Sequence, residues 1–586
     1  MKKIIELITE EFEKAFEEKG YDQSLAKVVV SNRPDLCEYQ CNGAMAGAKI
    51  YHKAPIMIAN DIVEALADNK MFEKIEAINP GFINFDINKD FLADYINNLA
   101  QDDKLGVKQQ NKTIIVDYGG ANVAKPLHVG HLRSAVIGEA IKRLKKFMGN
   151  ETIGDVHLGD WGLQMGLIIT ELKCRKPDLP YYDESFDGEY PSEAPFTISE
   201  LEEIYPCANG KAKEDEAFKE EAHEATRKLQ EGYKPYRALW QHIMNVSLED
   251  LKKNYDRLNT HFELWKGESD ANPYIEDLIN DLVNKGLAYE SEGALVVDIK
   301  EDTDKKELPP CIVRKSDGAA LYATSDLGTI IEREKLYSPD QYIYITDKRQ
   351  ELHFTQVFRV ARKAAFVGED TDMKFIGFGT VNGSDNKALK TRDGGVYRLE
   401  YLINDVNEAV YGKMIENKAM EGEEAQKIAE IIGLAALRYG DLSNQASKDY
   451  IFDIDKFASF EGNTGPYILY TIVRIKSIID KYVESGKTTD GVSIKNVENE
   501  SATKLMLELS KVNSVIENAA DELAPHKLCQ YIYELSNVFN TFYHNTKILA
   551  EEDEDKQKTY IALLLFTKKV LETCIDILGF SAPDRM

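Results

Sequence analysis

Val116 to Ser134 reads VDYGGANVAKPLHVGHLRS, and the fold of the chain turns on this stretch. The β-branched run Thr113 to Val116 predicts a short buried strand. Gly119, Gly120 and Pro126 then mark a turn, and Leu132 to Phe147 carries helical periodicity. His128 and His131 lie three apart around Gly130, so both project from one side at the opening of that helix. Glycine between them permits close approach of a ligand to the backbone. A helix N-terminus adds free N–H groups and a positive dipole end, which suit phosphate. By itself the pattern also fits any α/β protein with two surface histidines.

The sequence around this stretch continues the same rhythm. Glu151 to Val156 predicts a second strand, followed by the Gly-rich turn HLGDWGLQMG from His157. Repeated strand–turn–helix units predict a parallel sheet, with ligands beyond the carboxyl ends of its strands. Trp161 and Met165 read as packing residues. Residues 171–310 change character, and more than half of 211–231 is charged, as expected of a solvated helix. From Ile312, RKSDGAALYATSDLGTIIERE predicts strand, turn, strand and helix. Tyr322 and Asp326 sit four apart across the strand-to-helix junction and face one crevice if Asp326 is in the first turn. Asp326 has no partner nearby in sequence, which leaves two readings: a ligand for a cationic substrate, or a helix cap. Gln341 to Thr346 is another strand, and the turn and helix after it hold Gln350 and His353. After FIGFGTV, the polar loop NGSDNKALKTRDGG offers Lys387, Lys390 and Arg392 as a clamp for a triphosphate.

The ends of the chain differ from this middle. Ile4, Ile5, Ile8, Phe12 and Phe16 mark an opening helix, Asp35 to Lys49 a second helix, and Phe82 to Ile87 a strand, together a small α+β unit. From about Asn404 onward helical spacing dominates, which predicts a bundle. At 586 residues, three or four domains are expected. A net charge of −28 argues against indiscriminate nucleic-acid binding but allows local basic patches on an acidic body. Seven scattered cysteines give neither a disulfide framework nor a zinc site, and no signal peptide or run of 18 apolar residues stands out. A cytoplasmic setting is expected.

HVGH resembles the HIGH signature of class I aminoacyl-tRNA synthetases, and NVAKPLHVGHLRS, GDWGLQMG, YATSDL, FEGNTGPY and FNTFYH in this order resemble arginyl-tRNA synthetases. The resemblance spans nearly the whole chain. It implies a multidomain α/β and α fold: an additional N-terminal α+β tRNA-binding domain (1–105), a Rossmann-like catalytic domain in two halves (112–170 and 311–403) around an insertion (171–310), and a helical region with an all-α anticodon-binding bundle (404–586). It implies ATP-dependent activation of L-arginine, then transfer to a 2′-hydroxyl of tRNA(Arg), with release of AMP and diphosphate. Magnesium is expected to arrive with ATP, with no metal site of the protein's own.

In this reading His128, His131, Lys125, Lys387, Lys390 and Arg392 serve the phosphates. Asn122, Val123, Ala124, Lys125, Pro126, Leu127, His128, Val129, Gly130 and His131 line the nucleotide and amino-acid site with Asp117, Tyr322, Asp326 and Gln350. Asp326, helped by Tyr322, takes the guanidinium, and Asp117 supports the amino group. The loop at Ala388–Arg392 lacks the second lysine of the usual KMSKS signature, and Lys125 stands where relatives carry a compensating lysine. Gly119, Gly120 and Ala121 replace the more usual Ser-Ser-Pro. Tyr39, Gln40 and Asn42 are candidate RNA contacts, as are Tyr470, Arg474 and Lys476. A monomer that binds neither DNA nor membrane is expected. The alternatives are a class I synthetase for another amino acid, or a non-catalytic tRNA-binding paralogue.

Overall fold

The computed structural model describes residues 1–316, 318, 321–387, 389, 397–416 and 421–586. Its chain divides into two compact units, residues 110–466 with 577–580, and residues 1–109 with 467–576 and 581–586.

The first unit is built on β1 (Thr113–Asp117), α1 (Val129–Phe147), β2 (Glu151–Asp155), α2 (Ile198–Glu214), α3 (Lys234–Arg257), α4 (Glu268–Asn284), α5 (Tyr322–Tyr337), β3 (Gln341–Asp347), α6 (Glu351–Lys363) and β4 (Asp372–Phe378). The four strands form one parallel sheet in the order β4–β3–β1–β2. Ile114, Ile115 and Val116 are fully buried, as a central strand covered on both faces requires. The chain leaves β1 toward β2 on one side and pairs β1 with β3 on the other. The switch point therefore lies between β1 and β3, and a crevice opens at their carboxyl ends. Gly138 brings α1 onto the sheet: a Cβ there would stand 2.2 Å from the ring of Tyr118.

One expectation fails here. The second half of the catalytic fold does not re-enter through strands around Ile312. Cys311–Arg314 pairs antiparallel with Ala294–Val297 in a separate three-stranded sheet, and the parallel sheet resumes only at β3. Cys311 and Val313 are buried while Ile312 is exposed, the alternation of a strand with one wet face.

The helices Leu399–Glu416 and Glu423–Leu442 belong to this unit. Arg133 of α1 ties them in: its guanidinium is buried, lies 3.1 Å from Asp441, and donates to the carbonyls of Gly379 and Lys448. The helix that opens with HVGH is thus anchored to the root of the polar loop.

In the second unit Ile83, Phe85 and Ile87 of the strand Phe82–Ile87 are buried, and Phe85 packs against Phe12 at 4.9 Å between ring centroids. Asp35 to Lys49 is not one helix. Tyr39–Cys41 is a strand paired with Phe82–Ile87, and the helix starts at Gly43. Tyr39 and Cys41 point inward, a period of two that the small residues downstream mask in the sequence. Residues 1–109 do not stand apart from the C-terminal helices. Asn97 exchanges two hydrogen bonds of 3.0 Å with the backbone of Ile494, Lys3 pairs with Glu517 at 2.6 Å, and Asn513 donates to Tyr95 at 3.0 Å. None of the described helices is long and apolar enough to cross a membrane.

Candidate active site

The HVGH residues form a reciprocal cap on α1. His128 is the N-cap residue, and its Nδ1 accepts the N–H of Gly130 at 3.0 Å. His131 Nδ1 accepts the N–H of His128 at 3.1 Å, which leaves the two rings 4.0 Å apart. Gly130 makes room for its neighbour, since a Cβ there would lie 2.7 Å from Cε1 of His128. The space expected for a ligand is thus filled by the first histidine's own ring.

Because each Nδ1 accepts a backbone N–H, each neutral ring carries its proton on Nε2. Neither Nε2 has a protein partner among the described residues. Burial, then the charge of Lys125, lowers the pKa of His128. Burial, then His128, brings His131 down from 6.5 to about 3. The pair therefore presents two neutral N–H donors beside a positive helix end.

These values predict a pH response with a definite sign. Between about 3 and 6.5 the unfolded chain takes up the His131 proton and the folded protein does not. The contribution of His131 to stability is complete above about 6.5 and falls as the pH drops toward 3. An NMR titration should show the His131 ring unchanged from about pH 8 to 5; a midpoint near 6.5 would contradict the burial argument.

The turn before the cap uses its unusual glycines. Gly119 and Gly120 have φ of 93° and 52°, the left-handed region that suits glycine, so this variant of the turn keeps its path through backbone freedom. Asn122 is exposed, and its side chain fills the place a Cβ on Gly159 would take. Val123, Ala124 and Leu127 are buried, and Pro126 is half-buried. The Ala124 N–H donates to Ser247 of α3 at 2.9 Å. Residues 397–399 pair beside the cap: Val129 donates to Tyr397 O at 3.0 Å and Leu399 to Leu127 O at 2.9 Å. The exit of the polar loop is therefore hydrogen-bonded to the entrance of the histidine helix. Lys387 is exposed in that loop, whereas Lys390 and Arg392 lie outside the described residues.

Opposite the cap, α5 carries Tyr322 in its first turn and Asp326 as its fifth residue. The N-cap is Leu321, so Asp326 is not a cap. Its Oδ2 is 2.5 Å from Nε2 of His353 on α6, and its Oδ1 is 3.9 Å from Nε2 of His157. Sequence-local reading missed both imidazoles because they arrive from distant segments. Tyr322 is 71% exposed, open to whatever enters the crevice, and Gln350 is exposed at the start of α6.

A second carboxyl was also missed. Glu268, the first residue of α4, faces the fields of His157, Asp160 and Asp326, and burial pushes its pKa up to about 7. The GES following FELWK was visible in the sequence, yet nothing there places it against α5.

One oxygen of Asp117 is paired with a guanidinium from α5. Arg333, seven residues beyond Asp326 on α5, donates to Asp117 and Asp155, each at 2.6 Å, and so joins the ends of β1 and β2. Asp117, Asp155 and His157 come close together, and the two carboxylates hold this guanidinium.

Trp161 is packed edge-on against Trp240 at 5.8 Å, and Met165 is buried, so both pack as expected. In the second unit Arg474 lies 4.8 Å from the ring of exposed Tyr470 and donates to Asn540. Lys476 pairs with Glu572 and Asp584, both at 3.5 Å, and Tyr39 is buried in the core.

A parallel sheet with HVGH capping the helix after its first strand, and a lysine-bearing loop tied to that cap, defines the catalytic domain of a class I aminoacyl-tRNA synthetase. The family model "tRNA synthetases class I (R), catalytic domain" matches residues 95–454, "Arginyl tRNA synthetase N terminal domain" matches 2–87 and "DALR anticodon binding domain" matches 468–586. The chain belongs to the arginyl-tRNA synthetases, and its activity is the ligation of arginine to tRNA. Over the full length of both chains it is 60% identical to the arginine–tRNA ligase of Agathobacter rectalis and 54% to that of Alkaliphilus oremlandii. The crystal structure of Plasmodium falciparum arginyl-tRNA synthetase shares the fold over all of both chains, with a TM-score of 0.82 at 24% identity. The Thermus thermophilus arginyl-tRNA synthetase does so with 0.79 at 20%.

Proposed function

We propose that the crevice at the carboxyl ends of β1 and β3 is where arginine is activated, with the reciprocal histidine cap as its phosphate side and α5 as its amino-acid side. The observation that carries this reading is the cap itself: two neutral Nε2–H donors without protein partners among the described residues, at a helix N-terminus. The arginine carboxylate attacks the α-phosphorus, a new O–P bond forms, and the bond to diphosphate breaks. His128 and His131 donate to oxygens on which negative charge builds, without a proton transfer, because neutral donors aimed at that charge suffice. Lys125 and Lys387 stand ready for the diphosphate, with Lys390 and Arg392 as further candidates from the same loop. The substrate is ATP carrying its magnesium.

Asp326 takes the planar fork of the guanidinium through the oxygen edge that His353 leaves open, and Glu268 supplies a second carboxyl. Tyr322 closes over the side chain, while Asn122 and Gln350 hold the amino-acid end. Asp117 acts through Arg333, fixing α5 against the sheet. In the second step a hydroxyl of the terminal adenosine of tRNA(Arg) attacks the carbonyl of the mixed anhydride and AMP leaves. Tyr470 and Arg474 offer a stacking and phosphate surface to the anticodon arm. The enzyme acts as a cytoplasmic monomer. Arginine-dependent ATP–diphosphate exchange, with and without tRNA(Arg), tests the site reading. Exchange retained in a protein with both His128 and His131 replaced would overturn it.

A further inference from the structure

Lys125 is placed unusually. Ala124 before it is held at φ 58° with its N–H on Ser247, and Pro126 after it fixes the backbone, so only the side chain remains to be positioned. No carboxylate pairs with its ammonium among the described residues. Instead Nζ lies 4.3 Å from the ring centroid of Tyr205, on helix α2 of the insertion.

Helix α2 is a firm support on this side of the crevice. One turn before Tyr205, Glu202 pairs at 2.7 Å with Arg398, whose backbone neighbours Tyr397 and Leu399 are hydrogen-bonded to Val129 and Leu127 on either side of His128. Tyr205 itself packs against the cluster of Leu167, Ala208, Phe218 and Ala222. The ammonium is close enough to the cap for its charge to lower the pKa of both histidines.

A ring face and a carboxylate would hold a lysine with opposite consequences. A carboxylate cancels the charge, takes up N–H donors, and has to be displaced before a phosphate can bind. A ring quadrupole attracts the cation while leaving its net charge uncancelled and the N–H donors that face away from the ring free. We propose that Tyr205 is a positioning residue for the reaction: its ring seats the Lys125 ammonium beside the histidine cap, uncancelled, for the polyphosphate of ATP. This rests on the reading of Lys125 as a phosphate partner. The insertion would thereby supply part of the activation site that the loop at 388–392 lacks in sequence.

The test is a double-mutant cycle in arginine-dependent ATP–diphosphate exchange with tRNA present, using the full-length enzyme. Tyr205→Leu keeps apolar packing and removes the ring, and should lower kcat/KM for ATP by roughly 3- to 30-fold with the KM for arginine unchanged. Tyr205→Phe keeps the ring and should stay within about twofold of wild type. Lys125→Met should be at least as impaired as Tyr205→Leu, and adding Tyr205→Leu to it should cost nothing more. Losses that multiply in the double variant, or a Phe variant as poor as Leu, would assign Tyr205 to packing alone. A normal Tyr205→Leu enzyme beside an impaired Lys125→Met would overturn the proposal and leave Lys125 in place. A normal Lys125→Met enzyme would remove the underlying reading and the proposal with it.

Discussion

Asp326→Asn should raise the KM for arginine and lower kcat/KM for arginine by roughly 10²–10³, with the KM for ATP within a few-fold of wild type. The variant keeps the shape of the side chain and removes the charge that two guanidinium N–H groups would share. Leaving one member of a buried, hydrogen-bonded charge pair without its partner costs about 2–5 kcal/mol, and 1.4 kcal/mol is tenfold. Folding should be spared. Asp326 does not cap α5, and His353 can offer either ring tautomer to an amide. Steady-state kinetics across arginine and ATP concentrations decide the matter. Normal arginine use by Asp326→Asn would move the guanidinium site elsewhere, Glu268 being the next carboxyl to test.

His131→Ala should slow adenylate formation by about 10²–10³, and His128→Ala by a similar factor, in single-turnover measurements at saturating substrates. Each change removes one Nε2–H from the developing phosphate charge. His131→Ala also deprives the His128 N–H of its acceptor, a capping loss of roughly 0.5–2 kcal/mol in stability. Rate and stability are therefore separable. A variant with a lowered melting temperature but a normal activation rate would reduce the pair to a helix cap.

The sequence revealed most where chemistry and periodicity coincide along the chain. Thr113 to Val116 and the HVGH helix were legible because a continuous apolar run and a turn–helix junction are local patterns. Tyr322 and Asp326 read as lying across a strand-to-helix junction, whereas α5 already starts at Tyr322 and carries both, with Asp326 as its fifth residue. The partners of Asp326 were not legible. His353 is 27 residues away and His157 is on the far side of the insertion, and only the closure of the sheet brings them together. Arg333 was hidden in a helix that reads as ordinary amphipathic sequence, yet it pairs with the Asp117 carboxylate. The insertion misled most. The strand Cys311–Arg314, read as the start of the second catalytic half, pairs with the insertion's Ala294–Val297 instead, while Tyr205 and Ser247 of the insertion reach back to the residues before HVGH.

A crystal structure with a non-hydrolysable arginyl-adenylate analogue tests the central claim most directly. The account predicts the guanidinium within hydrogen-bond distance of Asp326, the phosphate within that distance of Nε2 of both His128 and His131, and Arg333 still bridging Asp117 and Asp155. A guanidinium found on Asp117 or Asp155 with Arg333 displaced, or a phosphate away from the two histidines, would contradict it.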